Sequence, residues 1–134
     1  MSVAPYLSFN GQAREALTTY AKIFGATDLQ LMSFGDAPPG SGPEGSENLI
    51  MHGQFSTGPG APLMGADMPG NPSDGMASPT VFHGAANAER AAQIFAGLSE
   101  GGQVILPLSE TFWSPCFGML KDRFGTSWMI TLAA

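Results

Sequence analysis

Along this chain the spacing of apolar residues switches from strand-like to helical and back again, and it does so twice. In residues 3–9, VAPYLSF, Leu7 and Phe9 fall on one side and Tyr6 and Ser8 on the other, which is the alternation of a strand. Asn10-Gly11 breaks that strand and can start a helix. From Gln12 to Phe24 the apolar positions Ala13, Ala16, Leu17, Tyr20, Ile23 and Phe24 form one helical stripe, and Gly25 suits a left-handed stop. Three further strands are predicted: TDLQLMSF (27–34), NLIMHGQFS (48–56) and PLMGAD (62–67). The same order then returns. SPTVFHGA (78–85) predicts a strand, and Asn87 caps a helix with the stripe Ala88, Ala91, Phe95 and Leu98 that Gly101-Gly102 ends. QVILPL (103–108), CFGMLKD (116–122) and SWMITL (127–132) follow as strands, the last two joined by the tight-turn sequence Asp122-Arg123-Phe124-Gly125.

The chain is therefore β-α-β-β-β twice, with module one at about 1–68 and module two at about 78–134 of one domain. The fold class is α+β: two curved mixed sheets, each with a helix on its outer face. Helix-facing positions must be apolar, so the inner concave face is free to carry chemistry and is a natural small-molecule site. Two segments, GDAPPGSGPEGSE (35–47) and MPGNPSDGMAS (68–78), have few apolar anchors; they are either surface linkers or a lid or dimer arm over that face.

Charged residues make up only 12% of 134, which is low for a soluble surface and implies that some neutral surface is covered, most simply by a second copy. The net charge of −6 and the scattered Arg14, Lys22, Arg90, Lys121 and Arg123 exclude a nucleic-acid or anionic-membrane partner. One cysteine, Cys116, forms no internal disulfide, MSVAPYLSFN lacks a signal-peptide pattern, and no apolar run is long enough to span a bilayer. A cytoplasmic protein is expected.

Three stretches carry a resemblance: PYLSFNGQAREALTTYAKIFGA, MGADMPG and ETFWSPCFGMLKDRFGTSWMI. Through them the chain resembles, over essentially its whole length, the PhnB-like branch of the vicinal oxygen chelate superfamily. That superfamily contains glyoxalase I, extradiol dioxygenases and bleomycin-resistance proteins. The resemblance implies the glyoxalase/bleomycin-resistance/dioxygenase fold, a homodimer and a pocket in each cup, but no single reaction. The branch also carries a 3-demethylubiquinone methyltransferase label. This chain offers that activity no support, because no Gly-rich nucleotide-binding turn follows its first strand.

Metal-dependent members of the superfamily take His or Glu ligands from the first, fourth, fifth and eighth strands. Counted from the turns, those positions fall on Ala4 or Pro5, near Gly65, near Thr80 and on Met129, none a normal hard-metal ligand. No metal and no cofactor is therefore expected. A relocated site built from His52, Asp67 and His83 is the remaining metal reading.

His52, on the third strand, and Asp67, at the end of the fourth, lie close enough to hydrogen-bond if the two strands form a hairpin. They are either structural groups or a pocket pair that holds a ligand or moves a proton. Trp128 belongs to the helix-packed core by alternation, whereas Thr111, Phe112, Trp113 and Phe117 either form an aromatic wall over the cup or pack its rim. Cys116 has no base placed beside it and is taken as an inert thiol. Seven of the eight methionines, Met32, Met51, Met64, Met68, Met76, Met119 and Met129, either fill the core or make a plastic pocket.

The expected function is binding of a small apolar or planar molecule without a metal. Trp113 and Phe117 stack on the ligand, and His52, Asp67, Tyr6 and Ser8 supply polar contacts. The alternatives are a lyase or isomerase acting on a vicinal-oxygen substrate with His52 or Glu110 as base, and a structural dimer with a collapsed cup. A one-residue slip in the first strand would replace Tyr6 and Ser8 by Leu7 and Phe9 in the site.

Overall fold

The computed structural model describes residues 4–38, 45, 47–58, 61–67, 80–111 and 114–132. Its elements run β1 (Tyr6–Phe9), α1 (Ala13–Phe24), β2 (Gln30–Ser33), β3 (Ile50–Ser56), β4 (Pro62–Asp67), β5 (Thr80–Ala85), α2 (Ala88–Ser99), β6 (Gln103–Ser109), β7 (Phe117–Lys121) and β8 (Ser127–Leu132). The chain divides into two compact units, Met1–Met76 and Ala77–Ala134. Each holds a four-stranded mixed sheet, ordered β1-β4-β3-β2 in the first and β5-β8-β7-β6 in the second. In each sheet the unit's first strand pairs parallel with its last, and the other pairs are antiparallel. This is the α+β, twice-repeated plan that the apolar periodicity predicts. No helix among the described residues is long and apolar enough to cross a membrane.

In the first unit α1 buries Ala13, Ala16, Leu17, Tyr20 and Ala21 against β3 and β4. Leu7, Phe9, Phe55 and Leu63 supply the sheet side of that core. Gly53 lets the helix come close, since a Cβ there would lie 2.5 Å from Leu17 Cδ1, whereas a Cβ on Gly65 would first meet β1, 3.0 Å from the Leu7 carbonyl oxygen. Gly25 ends the helix in the left-handed conformation, at φ 69°. In the second unit α2 covers Val81, Ala85, Leu120, Trp128 and Ile130. Gly118 repeats the close approach, with a Cβ there 2.7 Å from Phe95 Cε2. The buried stripe of α2 is Ala91, Ile94, Phe95 and Leu98, so Ile94 replaces Ala88, which is exposed.

The two helices start differently. Asn87 caps α2 as its residue type predicts, accepting from the Arg90 amide at 2.8 Å. The residue before α1 is Gln12, whose side chain makes no capping bond, and Asn10 does not take that role. The first turn is held instead by Asp67 at the far end of β4, whose Oδ1 accepts from the Gly11 amide at 2.8 Å and the Ala13 amide at 3.0 Å.

β1, β2, β3 and β7 are shorter than their sequence patterns, and two of them have a visible cause. β2 ends at Ser33 because Phe34–Asp36 form a 3-10 turn. Asp36 Oδ2 fixes that turn by accepting from the Ser33 amide at 3.1 Å and its hydroxyl at 3.0 Å. Cys116 lies outside β7, in a corner where its carbonyl accepts from Ser114 Oγ at 2.8 Å and Thr131 Oγ1 at 2.9 Å. The Asp122–Gly125 turn forms, closed by the Gly125 amide on the Asp122 carbonyl at 3.1 Å with Gly125 at φ 93°.

Candidate functional site

Each sheet has one face under its helix and one away from it. In the first unit Leu7, Gly53, Phe55, Leu63 and Gly65 face α1. Alternation then sends Tyr6 and Ser8, Met64 and Ala66, His52 and Gln54, and Gln30 and Met32 to the open face. The pairings Tyr6–Met64–Gln54–Gln30 make one row across it. Tyr6 and Met32 are 46% and 47% exposed, so this face is accessible.

A hydrogen-bonded chain runs along it. Tyr6 Oη lies 3.0 Å from His52 Nδ1, and His52 Nε2 lies 2.9 Å from Gln54 Oε1. The two rings sit 5.6 Å apart at 39°. Tyr6 comes from β1 and His52 from β3, so the contact bridges β4 between them. Ala66 of β4 is only 4% exposed although its position belongs to the open face.

The expected pair of His52 and Asp67 does not form. Asp67 shares alternation with Leu63 and Gly65, so it turns toward α1, and it is 2% exposed. Besides Gly11 and Ala13, its carboxylate accepts from the Ile50 amide at 2.9 Å through Oδ2. It joins the ends of β4, α1 and β3. Sequence reasoning missed Gln54 as the partner of His52, although the spacing of two along β3 puts both side chains on one face.

In the second unit the open face carries Thr80, Phe82 and Gly84 of β5, Met129 and Thr131 of β8, and Phe117 and Met119 of β7. Register aligns Phe82, Met129, Met119 and Leu106 in one apolar row, with Phe82 64% exposed. Phe117 lies one row along, level with Thr131. Trp113 and Phe112 of the proposed aromatic wall lie outside the described residues, as do Met68, Met76 and most of the two linker segments. The methionines given a place by register, Met32 and Met64 in one unit and Met119 and Met129 in the other, fall on open faces rather than in the cores.

His83 pairs with Ile130 and faces α2, not the open side. Burial, and then the Arg90 guanidinium, hold its pKa below the ordinary imidazole value. His52 and Asp67 therefore point to opposite sides of the first sheet, while His83 lies under the helix of the second. No group of three or more His, Cys, Asp or Glu able to hold a metal occurs among the described residues. The fourth-strand position expected near Gly65 covers both faces of β4. Gly65 faces the helix, and the open-face neighbours are Met64 and Ala66. Together with Ala4, Pro5, Thr80 and Met129, these residues do not fit a hard divalent ion. Cys116 has Ser114 and Thr131 as polar neighbours, and Glu110 is exposed just beyond β6.

Trp128, 1% exposed, lies in the α2 core, where its indole N–H donates to Asp122 Oδ2 at 2.9 Å. Asp122 Oδ1 also accepts from the Phe124 amide at 2.9 Å and the Thr126 amide at 3.0 Å. These bonds tie the DRFG turn to the core, which is why aromatic residues and an acid occur together near the end of the chain.

Comparison with known proteins gives the same architecture. The family described as 3-demethylubiquinone-9 3-methyltransferase matches residues 1–131. Protein YjdN of Escherichia coli K12 is 31% identical, over 98% of this chain and 95% of its own. Protein PA1353 of Pseudomonas aeruginosa superposes with a TM-score of 0.86 at 37% identity, covering 98% of this chain and 97% of that one. The PhnB protein of Bacillus cereus does so at 0.74 and 26%, covering 99% and 100%. A glyoxylase/bleomycin resistance/dioxygenase domain from Frankia shares the fold at a TM-score of 0.65 with 10% identity, over 100% and 98% of the two chains.

Proposed function

The chain belongs to the family described as 3-demethylubiquinone-9 3-methyltransferase, the PhnB-like proteins of the glyoxalase/bleomycin-resistance/dioxygenase fold, and from that premise we propose that it binds a small apolar or planar molecule without a metal. The observation that carries this reading is the composition of the open face of β1–β4. It offers a phenol, an imidazole and two amides beside two thioethers, with no carboxylate or cation among them. Thioethers and aromatic rings adapt to flat apolar ligands, and the polar groups orient them. Tyr6, Ser8 and His52 are the proposed contacts in the first unit, and Phe117, with Trp113, in the second. Asp67 is reassigned to the scaffold. A homodimer in the cytoplasm fits the low charge of the chain and the exposed Val104, Ile105, Leu106 and Phe82.

The methyltransferase description implies a methyl donor. The sheets are mixed rather than doubly wound, and the Gly11 amide at the first strand–helix junction is taken by a carboxylate, so that junction gives a nucleotide cofactor no cradle. A second reading, a lyase or isomerase on a vicinal-oxygen substrate, is favoured by the Tyr6–His52 contact alone, because a phenol and an imidazole in contact can pass a proton.

Native mass spectrometry of the protein purified from its own source separates these readings. An organic adduct retained by a dimer, with no stoichiometric metal, is expected. A bound divalent ion, with a large thermal stabilisation by nickel, zinc or manganese, would overturn the metal-free reading and favour the enzyme.

A further inference from the structure

The chain Tyr6–His52–Gln54 has a direction. In the amide orientation that sets Gln54 Oε1 2.9 Å from His52 Nε2, the oxygen has no proton to give, and that orientation assigns the hydrogen to Nε2. A neutral imidazole has one N–H. Nδ1 is then the lone-pair nitrogen, and the Tyr6 hydroxyl 3.0 Å away donates to it. The phenol's single proton is thereby committed inward. What Tyr6, 46% exposed, still presents to the open face is an acceptor oxygen.

The charge around it points the same way. All five basic residues lie off β1–β4: Arg14 and Lys22 on α1, Arg90 on α2, Lys121 on β7 and Arg123 in the turn after it. The first two belong to the helix that covers the opposite face of the sheet. No Lys or Arg stands on this face to neutralise a carboxylate or a phosphate, and the chain's net charge is −6.

Resting on the binding function proposed above, we infer that Tyr6 is the specificity-determining acceptor of this site. The ligand is a planar molecule carrying an O–H or N–H donor, neutral or cationic, and anionic ligands are rejected. Tyr6 Oη takes the ligand's hydrogen bond, Met32 and Met64 take its apolar body, and Gln54 holds His52 in the tautomer that keeps Tyr6 an acceptor.

The test uses four probes of one shape, naphthalene, 2-naphthol, 2-methoxynaphthalene and 2-naphthoate, titrated at pH 8 into the full chain by calorimetry and amide NMR. The expected order places 2-naphthol about 5- to 10-fold tighter than 2-methoxynaphthalene, the worth of one net hydrogen bond, with 2-naphthoate weaker than 2-naphthol. Chemical shifts should move in β1, β3 and β4. In Tyr6→Phe, naphthol and methoxynaphthalene should bind equally; in Gln54→Leu, where the tautomer is free, the gap should narrow. Equal or tighter binding of methoxynaphthalene or naphthoate by the parent protein would overturn the acceptor assignment while leaving a binding function standing. So would a naphthol preference whose shifts fall only in residues 80–132, or one that survives Tyr6→Phe. Failure of all four probes to bind would instead sink the binding function for planar ligands, and the inference with it.

Discussion

Asp67 gives the sharpest test of how the first unit is held together. Its carboxylate accepts from three backbone amides, Gly11 at 2.8 Å, Ala13 at 3.0 Å and Ile50 at 2.9 Å, while itself 2% exposed. Asp67→Asn keeps the shape, and its remaining oxygen can still serve Gly11 and Ala13. Its new –NH2, however, must face the Ile50 N–H, a donor against a donor. One buried charge-assisted bond is lost and one buried amide is left unmet, together worth about 2–3 kcal/mol. Asp67→Ala removes all three acceptors. At roughly 1–3 kcal/mol for each amide left unmet, less for the part-buried Gly11, the cost is about 4–6 kcal/mol. That approaches the whole stability of a typical domain, about 5–15 kcal/mol, so Asp67→Asn is the variant to measure.

Both tryptophans lie in the second unit, so their fluorescence would report the wrong half of the molecule. Urea unfolding followed by far-UV circular dichroism is the appropriate assay, paired with hydrogen exchange at the Ala13 and Ile50 amides. Faster exchange at both positions, Ile50 more than Ala13, is expected in Asp67→Asn. If that variant stayed within about 0.5 kcal/mol of the parent and Ile50 exchange did not change, the carboxylate would not be what joins β3, β4 and α1.

Two further outcomes follow from the packing of single residues. A Cβ on Gly102 would lie 2.3 Å from the Lys121 carbonyl oxygen, whereas one on Gly53 would meet the far end of Leu17 at 2.5 Å. Backbone yields less than a leucine methyl, so Gly102→Ala should cost about 3 kcal/mol or more and Gly53→Ala about 1–2 kcal/mol; the reverse order in chemical denaturation would contradict the packing. His83 has its pKa lowered by burial and by Arg90, so below the ordinary imidazole value of 6.5 the unfolded chain binds the proton more readily than the folded one. The stability contributed by neutral His83 is present above that pH and is lost as pH falls through it. His83→Gln should therefore lose less thermal stability than the parent between pH 7.5 and 5.5, and parallel curves would show that His83 is not responsible.

The fold was legible because its signal is collective. A misplaced boundary, such as Ala88 counted in the α2 stripe where Ile94 belongs, leaves the strand–helix–strand order intact. The site was less legible because it depends on parity at single positions. In β4, Leu63 and Met64 are both apolar, so alternation alone does not say which of them faces the helix. A one-residue choice there decides whether Gly65 and Asp67 line the site or support it. In β3 the pairing shifts between Met32–His52 and Ser33–Ile50, and this irregularity turns Ile50 into the core although it shares even spacing with His52. A bulge of that kind leaves no mark in composition. Gln54 was within reach, being two residues from His52 in an unbroken strand, but a glutamine on a half-exposed face carries no signal of its own until its partner is known.

The disposition of the acids bears on which chemistry the first unit can support. Among the described residues the buried carboxylates are Asp67 and Asp122, one in each unit. Each accepts three hydrogen bonds, Asp67 from Gly11, Ala13 and Ile50, and Asp122 from Phe124, Thr126 and the Trp128 indole. A carboxylate saturated by donors that are themselves part of the fold is poorly placed to take a proton from a substrate, since protonation would break the contacts that position it. General-base work in the first unit would thus fall to His52, whose two ring nitrogens are already joined to Tyr6 and Gln54. Proton abstraction at His52 would require the Tyr6 hydroxyl to leave Nδ1 first, or to relay the proton through its own oxygen. Donating a hydrogen bond to that oxygen requires no such rearrangement. The geometry is ready for recognition as it stands and must be undone or extended for catalysis, which is the physical reason to rank binding above turnover.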